Sequence, residues 1–134
     1  MTKFFLFIRK YPVSILLFII IWILSLMPFF PETPLDDVKF IDKWTHLVMY
    51  GGTCSVLWIE YMRSHKTTGS AVKLFLLAWL APILMSGLLE LLQAYATTTR
   101  SGEWLDFAAN SLGVTLGAAV GLLLMKTYND IRLN

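Results

Sequence analysis

The sequence predicts an all-α membrane protein, a four-transmembrane-helix bundle with both termini in the cytoplasm. Three observations predict this fold. Of the 134 residues, 57% are hydrophobic and only 15% are charged, with a mean hydropathy of +0.65. A soluble domain of this size would expose enough of that apolar surface to aggregate. The hydrophobic residues form four long blocks, and Lys and Arg concentrate in every second polar segment between them.

Each apolar block is long enough to cross a hydrocarbon core of about 30 Å as an α-helix, at about 1.5 Å per residue. The first block begins at Pro12, where a helix tolerates proline in its first turn, and Pro31 and Pro34 stop its continuation. Short connections predict that consecutive helices pack as antiparallel neighbours in a single transmembrane domain covering residues 1–134. The predicted spans are about 12–30, 41–61, 71–95 and 104–125.

The distribution of Lys and Arg orients the bundle. Lys39, Lys43 and Arg100 lie in or beside the 1–2 and 3–4 connections, and the other eight lie in the segments on the opposite side. Cytoplasmic loops carry the excess of Lys and Arg, so both termini are expected in the cytoplasm of a multi-pass protein of the cell membrane. The eight are Lys3, Arg9, Lys10, Arg63, Lys66, Lys73, Lys126 and Arg132.

Polar residues of three predicted spans arrive at a similar depth below the outer surface. At about 1.5 Å per residue, His46 and Glu90 lie about 7 Å from the predicted outer ends of their helices. On the same scale, Asp106 and Asn110 lie about 3 Å and about 9 Å from theirs. Lipid cannot solvate ionisable side chains, so they face the bundle interior or a wet cavity. We therefore expect these residues to meet in one outward-facing polar pocket.

Helical spacing adds neighbours to this pocket. Asp42, His46 and Tyr50 recur at intervals of four and share one face of the second span. Glu90 and Gln93 share a face of the third. The expected ligand-binding residues are Asp42, Lys43, Tyr50, Gln93, Arg100 and Asn110.

Small residues recur in the fourth span. Gly113, Gly117 and Gly121 are spaced by four, a pattern that lets helix backbones approach closely in membranes. The pattern predicts a structural role, and the same three glycines are the candidate contact for a homo-oligomer.

Two further features concern the architecture. Pro82 is expected to kink the third span, because proline disrupts the hydrogen-bond ladder of a helix. Glu60 and Arg63, near the inner end of the second span, are expected to form an ordinary terminal ion pair.

The pattern DKWTHLVMY, followed by ELLQAYATTTRSGEWLDFAANSLGVTLGA, resembles the VanZ-like membrane proteins. Their pattern is Asp-Lys-x-x-His, then Glu-x-x-Gln, an Arg after a short gap, Asp-x-x-x-Asn and two glycines. The resemblance covers the second to fourth spans, with Leu47 where an aromatic residue is common. It implies a cell-envelope membrane protein, since the namesake of the family is associated with resistance to the glycopeptide teicoplanin. The matching positions are Asp42, Lys43, His46, Tyr50, Glu90, Gln93, Arg100, Asp106, Asn110, Gly113 and Gly117.

His46, Glu90 and Asp106 are the candidate catalytic residues, as an acid/base cluster. An imidazole titrates near neutrality, so His46 suits a general acid or base oriented by Asp42 or Asp106. A structural hydrogen bond between helices explains the same residue equally well.

The same cluster bears on metal and anion binding. A nitrogen and two carboxylates from His46, Glu90 and Asp106 are a known metal-ligand set. The sequence has no metal-spacing motif such as H-x-x-x-H, so we expect a hydrogen-bonded ion network with no metal and no cofactor. The guanidinium of Arg100 suits a phosphate or carboxylate.

The leading hypothesis is therefore an outward-facing pocket that binds an anionic lipid or a lipid-linked cell-wall intermediate. The alternative is a membrane-embedded acid/base or metal-dependent enzyme acting on a lipid head group. A purely structural polar cluster is the third interpretation. Membrane lipids are the expected partners, and no nucleic-acid partner is expected.

Overall fold

The computed structural model describes residues 2–28, 33–64, 71–99 and 101–133, and these residues are almost entirely helical, with no strand among them. The all-α fold class is therefore confirmed for this part of the chain. A π-helical turn at Leu76–Leu80 joins the helices Ala71–Phe75 and Ala81–Ala96 without interruption. The helices are α1 (Lys3–Lys10), α2 (Pro12–Leu26), α3 (Ile41–Ser64), α4 (Ala71–Phe75), α5 (Ala81–Ala96) and α6 (Trp104–Leu133).

Two helical segments are long and apolar enough to cross a membrane, Val72–Ala96 and Trp104–Ile131. Helices α1 and α2 together pass the same test but are bent by 87° at their break, so they make a third candidate if the bent pair is one span. Helix α3 has the length, at 24 residues, but not the apolar composition. By length and composition the described chain has two, or up to three, candidate spans.

The ends of two helices differ from the predicted spans. Helix α2 ends at Leu26 rather than near residue 30, and Met27 is extended. Pro28 explains this, because the residue before a proline is disfavoured in the helical conformation. Helix α6 continues to Leu133, past the predicted end near residue 125, because an apolar block marks the buried length of a helix and not its last turn.

Helices α3 and α6 pack with their backbones in close contact and run parallel. The small residues of α6 face α3: a Cβ atom added to Gly117 would lie 2.7 Å from the Gly51 carbonyl oxygen and 2.9 Å from Cβ of Cys54. The close helix approach predicted from these glycines is thus present inside one chain. The facing pairs, in order along both helices, are Gly113 with Leu47, Gly117 with Gly51 and Gly121 with Trp58.

This packing corrects the expected oligomer contact. Gly113, Gly117 and Gly121 are covered by α3 of their own chain, so no helix of a second copy has room against them. A homo-oligomer stays a prediction, but it requires another face of the molecule.

The helix before α6 runs in the opposite direction. The indole of Trp79 donates to Thr115, and the Glu90 carboxylate accepts a hydrogen bond from the Glu103 backbone. Trp79, just before α5, thus lies beside the middle of α6, whereas Glu90, within α5, lies beside the start of α6. The two helices are therefore antiparallel. The π-helical turn ends two residues before Pro82, so the irregularity predicted for this span is a π turn in a continuous helix.

The start of α2 is capped by a buried carboxylate of α3. Glu60 accepts hydrogen bonds from the backbone N–H groups of Val13 and Ser14 at 3.0 Å, and from the Ser14 hydroxyl at 2.6 Å. The first N–H groups of a helix have no partner within the helix, so Glu60 satisfies donors that would otherwise be orphaned. Glu60 is therefore a helix cap and not the terminal partner of Arg63 that the sequence suggests.

Polar side chains are buried and large apolar side chains are exposed over much of the described surface. Leu84, Leu88, Leu105 and Leu123 are each about half exposed or more. A soluble protein buries such side chains, whereas lipid solvates them. The distribution therefore agrees with a membrane protein. The buried polar residues are Ser14, Ser25, His46, Thr53, Glu60, Ser86, Glu90, Gln93, Asp106 and Asn110.

The connection before α3 is held by its own side chains. The backbone N–H and hydroxyl of Thr33 donate to Asp36 at 2.8 and 2.7 Å, and these bonds lower the pKa of Asp36. Phe40 adopts a φ of 61°, in the left-handed region that disfavours residues with a Cβ atom. The chain turns there, and α3 begins at the next residue.

The α3–α6 contact predicts that alanine destabilises the protein at one glycine of these helices and not at another. Gly117→Ala should lower the melting temperature of the detergent-purified protein, because its Cβ has no space between the two helices. Gly52→Ala is the matched control, since a Cβ there meets nothing within 4 Å. It should be neutral or stabilising, by up to about 1 kcal/mol from helix propensity. Equal melting temperatures for the two variants would contradict the close packing.

Candidate functional site

Lys43 is the centre of a network of carboxylates at the start of α3. Its ammonium nitrogen lies 2.8 Å from Asp42, 2.7 Å from Glu103 and 2.5 Å from Asp106. Its side chain is mostly covered, as is that of Asp106, whereas Asp42 and Glu103 are open to the surroundings. One cation therefore joins acids from α3, from the segment before α6 and from α6 itself.

His46 lies one turn further along α3 and is oriented by α6. Its Nδ1 is 2.9 Å from the side-chain oxygen of Asn110. The Asn110 amide nitrogen donates to Glu90 at 3.4 Å, so its carbonyl end must face the imidazole. Nδ1 of His46 therefore carries the hydrogen and donates it to Asn110. Nε2 is left facing Asp42 Oδ1 at 3.6 Å and Asp106 Oδ2 at 3.9 Å.

Glu90 links α5 to the start of α6. Its second carboxylate oxygen accepts the backbone N–H of Glu103 at 3.0 Å. Gly102 makes this approach possible, because any Cβ there would collide with the backbone carbonyl of Glu90. Glu90 is therefore held by Asn110 on one side and by the 101–103 segment on the other.

These residues form one unit, which we call the polar cluster. It gathers side chains from three helices and from the segment before α6, at one end of the bundle. Four carboxylates surround one ammonium group and one imidazole, so the described cluster carries an excess of negative charge. Its members are Asp42, Lys43, His46, Glu90, Glu103, Asp106 and Asn110.

Three of the predicted ligand-binding residues lie elsewhere or outside the described chain. Tyr50 is 1% exposed and packs in an apolar cluster with Leu89 and Val114, and its hydroxyl has no hydrogen-bond partner among the described residues. Gln93 donates to the backbone carbonyl of Ser25 at 2.7 Å, which ties α5 to the end of α2. Arg100 lies outside the described residues. Ligand binding by these three stays a prediction.

Sequence reasoning missed Glu103 and Gly102. The sequence predicts no role in the site for Glu103, although its side chain binds Lys43 and its backbone N–H donates to Glu90. The signal available was its place three residues before Asp106, since residues just before a helix sit beside the first turn. Nothing in the sequence marks Gly102 as the position where two segments touch.

Three members of the polar cluster bring metal-ligating atoms close together. Asp42, His46 and Asp106 each offer one ligand atom, and these atoms all lie within 4.8 Å of one another. Glu90, which the sequence suggested as a ligand beside His46 and Asp106, is engaged with Asn110 and the Glu103 backbone instead.

An apolar groove opens between α5 and α6 and reaches the polar cluster. Its volume is about 490 Å³. Gly87 leaves space for the ring of Phe107, since an added Cβ would lie 3.2 Å from that ring. Glu90 and Glu103 form the polar end of this groove. Its apolar lining includes Leu84, Leu88, Leu91, Tyr95, Trp104 and Phe107.

Scans of the chain against protein-family models, curated proteins and solved structures found no match. The resemblance to the VanZ-like pattern therefore rests on the spaced polar residues themselves, of which six lie together in the polar cluster. The six are Asp42, Lys43, His46, Glu90, Asp106 and Asn110.

Lys43 should be essential to the stability of this end of the bundle. Lys43→Met leaves the buried carboxylate of Asp106 without its cation, so the melting temperature in detergent should fall. Lys39→Met is the matched control, because Lys39 lies in the connection before α3 and its nitrogen is 5.2 Å from the Phe40 ring centre. The double variant Lys43→Met/Asp106→Asn should regain part of the loss. A Lys43→Met protein as stable as the Lys39→Met protein would contradict the central role of the ammonium group.

Proposed function

We propose that this chain is a four-span, VanZ-like protein of the cell envelope whose outward-facing polar cluster receives the head group of an anionic lipid or a lipid-linked cell-wall intermediate. The hydrocarbon chain of that ligand lies in the α5–α6 groove. The single observation that carries the proposal is the continuity of this apolar groove with the polar cluster through Glu90 and Glu103. An amphiphile needs both surfaces side by side.

Helix directions support four spans. Helices α3 and α6 run parallel, α5 runs opposite to α6, and the start of α2 is bound to the end of α3. This is the alternation that an up-and-down bundle of four spans requires. Helix α3 is too polar to qualify alone, but contacts with α2 and α6 cover much of it. A helix shielded by its neighbours does not need an apolar surface on every side.

Helix α1 supports the orientation with both termini in the cytoplasm. It carries Phe4, Phe5 and Phe7 exposed beside basic Arg9 and Lys10, and it meets α2 at 87°. If α2 crosses a bilayer, α1 lies flat in its interface, with apolar side chains in the acyl boundary and basic side chains among anionic head groups. Basic residues at this end agree with the positive-inside rule.

The charge of the polar cluster restricts how an anionic head group binds. The only ammonium group of the described cluster, on Lys43, is already shared by three carboxylates. A phosphate therefore needs a further positive charge. Arg100 is two residues from Gly102 and supplies one candidate, because its guanidinium binds phosphate by paired hydrogen bonds.

The groove predicts a variant that blocks lipid binding. Leu88→Trp fills the apolar lining and should reduce binding of a polyprenyl phosphate to the detergent-purified protein, measured by native mass spectrometry. Leu112→Trp is the matched control, because Leu112 is similarly exposed on α6 and is not part of the groove lining. Arg100→Ala should weaken the binding of the polyprenyl phosphate more than the binding of a neutral diacylglycerol of similar chain length.

The link to teicoplanin is tested with the same variants. Expression of the wild-type chain should lower the teicoplanin susceptibility of a sensitive bacterium, and Leu88→Trp and Arg100→Ala should remove that effect. Correctly inserted variants that keep both lipid binding and the drug phenotype of the wild type would defeat the proposal.

The alternative function is an acid/base enzyme acting on a lipid head group. One observation favours it: Asn110 fixes the imidazole of His46 and leaves Nε2 as a proton acceptor, and the two nearby carboxylates would stabilise the imidazolium formed when it takes a proton. His46→Gln should then abolish release of phosphate from a polyprenyl diphosphate while the melting temperature changes little. Wild-type protein without turnover, or a fully active His46→Gln variant, would remove this alternative.

A further inference from the structure

We infer that Asp42, His46 and Asp106 form a binding site for a divalent first-row transition metal ion such as Zn²⁺ or Mn²⁺. One imidazole nitrogen and two carboxylate oxygens are a ligand set that such ions accept. The metal-binding step stands on the geometry of these three residues. Its role in holding a phosphate rests on the proposed function.

The ligand atoms are already close to the spacing that an ion needs. Nε2 of His46 lies 3.6 Å from Oδ1 of Asp42 and 3.9 Å from Oδ2 of Asp106. Ligand atoms that share an ion at about 2.0–2.2 Å lie roughly 3–3.5 Å apart. All three ligand atoms lie within 4.8 Å of one another, so binding requires shifts of roughly 1 Å at side-chain ends.

The imidazole of His46 is oriented in the same way as a typical metal-bound histidine. Its Nδ1–H donates to Asn110, which fixes the tautomer and leaves the lone pair of Nε2 directed at the two carboxylates. Metal-bound histidines characteristically use their second nitrogen in this way. A lone pair that faces two anions is electrostatically unfavourable unless a positive charge lies between them. The Lys43 ammonium offsets part of this repulsion from the far side of the two carboxylates, and a metal ion at Nε2 would remove it directly.

The scaffold that carries the three ligands is rigid. Asp42 and His46 are one turn apart on α3, and Asp106 is in the first turn of α6. The glycine contacts of α3 with α6 fix the register of the two helices, and the first of them, Gly113 with Leu47, lies directly after His46 and about two turns after Asp106. Asp42 is half exposed while the other two are buried, so an ion reaches the site from the open end of the bundle.

Lys43 is the internal competitor for the ion. Its ammonium nitrogen contacts Oδ2 of Asp42 and Oδ1 of Asp106, the oxygens on the far side of the same two carboxylates. It neutralises them when no ion is bound. It also contacts Glu103 at 2.7 Å, so it retains a partner if a metal takes over the two aspartates. A bound ion would add the positive charge that the cluster lacks for a phosphate ligand.

The test is binding of metal alone to the full chain purified in detergent and stripped of metal. Titration with Co²⁺ should give d–d absorption bands from an ion bound by nitrogen and oxygen ligands. Added Zn²⁺ should displace the Co²⁺ and remove these bands, at about one ion per chain. Asn110→Ala should lower the affinity by about 10–100-fold, because the imidazole loses its orienting partner. His46→Gln and Asp106→Asn remove ligands and should lower it further.

Two variants separate a built site from unspecific binding and from a proton-only network. Asp36→Asn removes a carboxylate in the connection before α3 and should leave the affinity unchanged. Lys43→Met removes the competing ammonium, so its affinity for Zn²⁺ should rise and its melting temperature should recover when Zn²⁺ is added. A polar network without a metal site would show neither the rise in Zn²⁺ affinity nor the recovery of the melting temperature.

The inference is overturned if the wild-type chain binds none of Co²⁺, Zn²⁺ or Mn²⁺ at millimolar concentration, or if His46→Gln and Asp106→Asn bind as the wild type does. Failure of the proposed function looks different. Metal binding would then persist, while polyprenyl phosphate would bind equally to the wild type and to Leu88→Trp. Loss of metal binding with groove-dependent lipid binding intact would overturn only the metal site.

Discussion

The close approach of α3 and α6 is the constraint on which the rest of the molecule depends. Two helices separated only by glycine hydrogens leave little freedom to slide or rotate. This rigidity sets the register at the open end, where His46 meets Asn110 and Lys43 meets Asp106. The glycines are structural, yet they determine the geometry of the site.

The polar residues solve the problem of burying charge in two different ways. At one end, Glu60 is satisfied by backbone N–H groups and a hydroxyl, all of which are fixed donors. At the other end, the charge of Asp106 is neutralised by an ion pair with the flexible side chain of Lys43. Fixed donors lock a carboxylate permanently, whereas a flexible cation can be exchanged. The same residue type therefore serves architecture at one end and suits ligand exchange at the other.

Sequence reasoning predicted the residues that share a face but not all of their partners. Helical periodicity and depth brought His46, Asp106 and Asn110 together, because both depend only on residue spacing along a helix. Tyr50 and Gln93 have the same periodicity, yet neighbouring helices enclose them away from the cluster. The glycine spacing of α6 predicts close helix packing, which is present, but it does not reveal that α3 of the same chain is the partner. Long flexible side chains such as Lys43 bind acids that lie far away in sequence, and no local pattern encodes that choice.

The short length of α2 has a consequence for the surrounding bilayer. Its 15 residues extend over about 22 Å, less than the hydrocarbon thickness of about 30 Å, and α1 turns away at 87° instead of lengthening it. Thinning of the bilayer is one of the ways in which lipids accommodate so short a helix, and in the proposed orientation it would occur beside α2. Such thinning lowers the outer head groups toward the depth of the buried acids. The protein would then shorten the path between a lipid in the membrane and the site, by deforming the bilayer instead of moving itself.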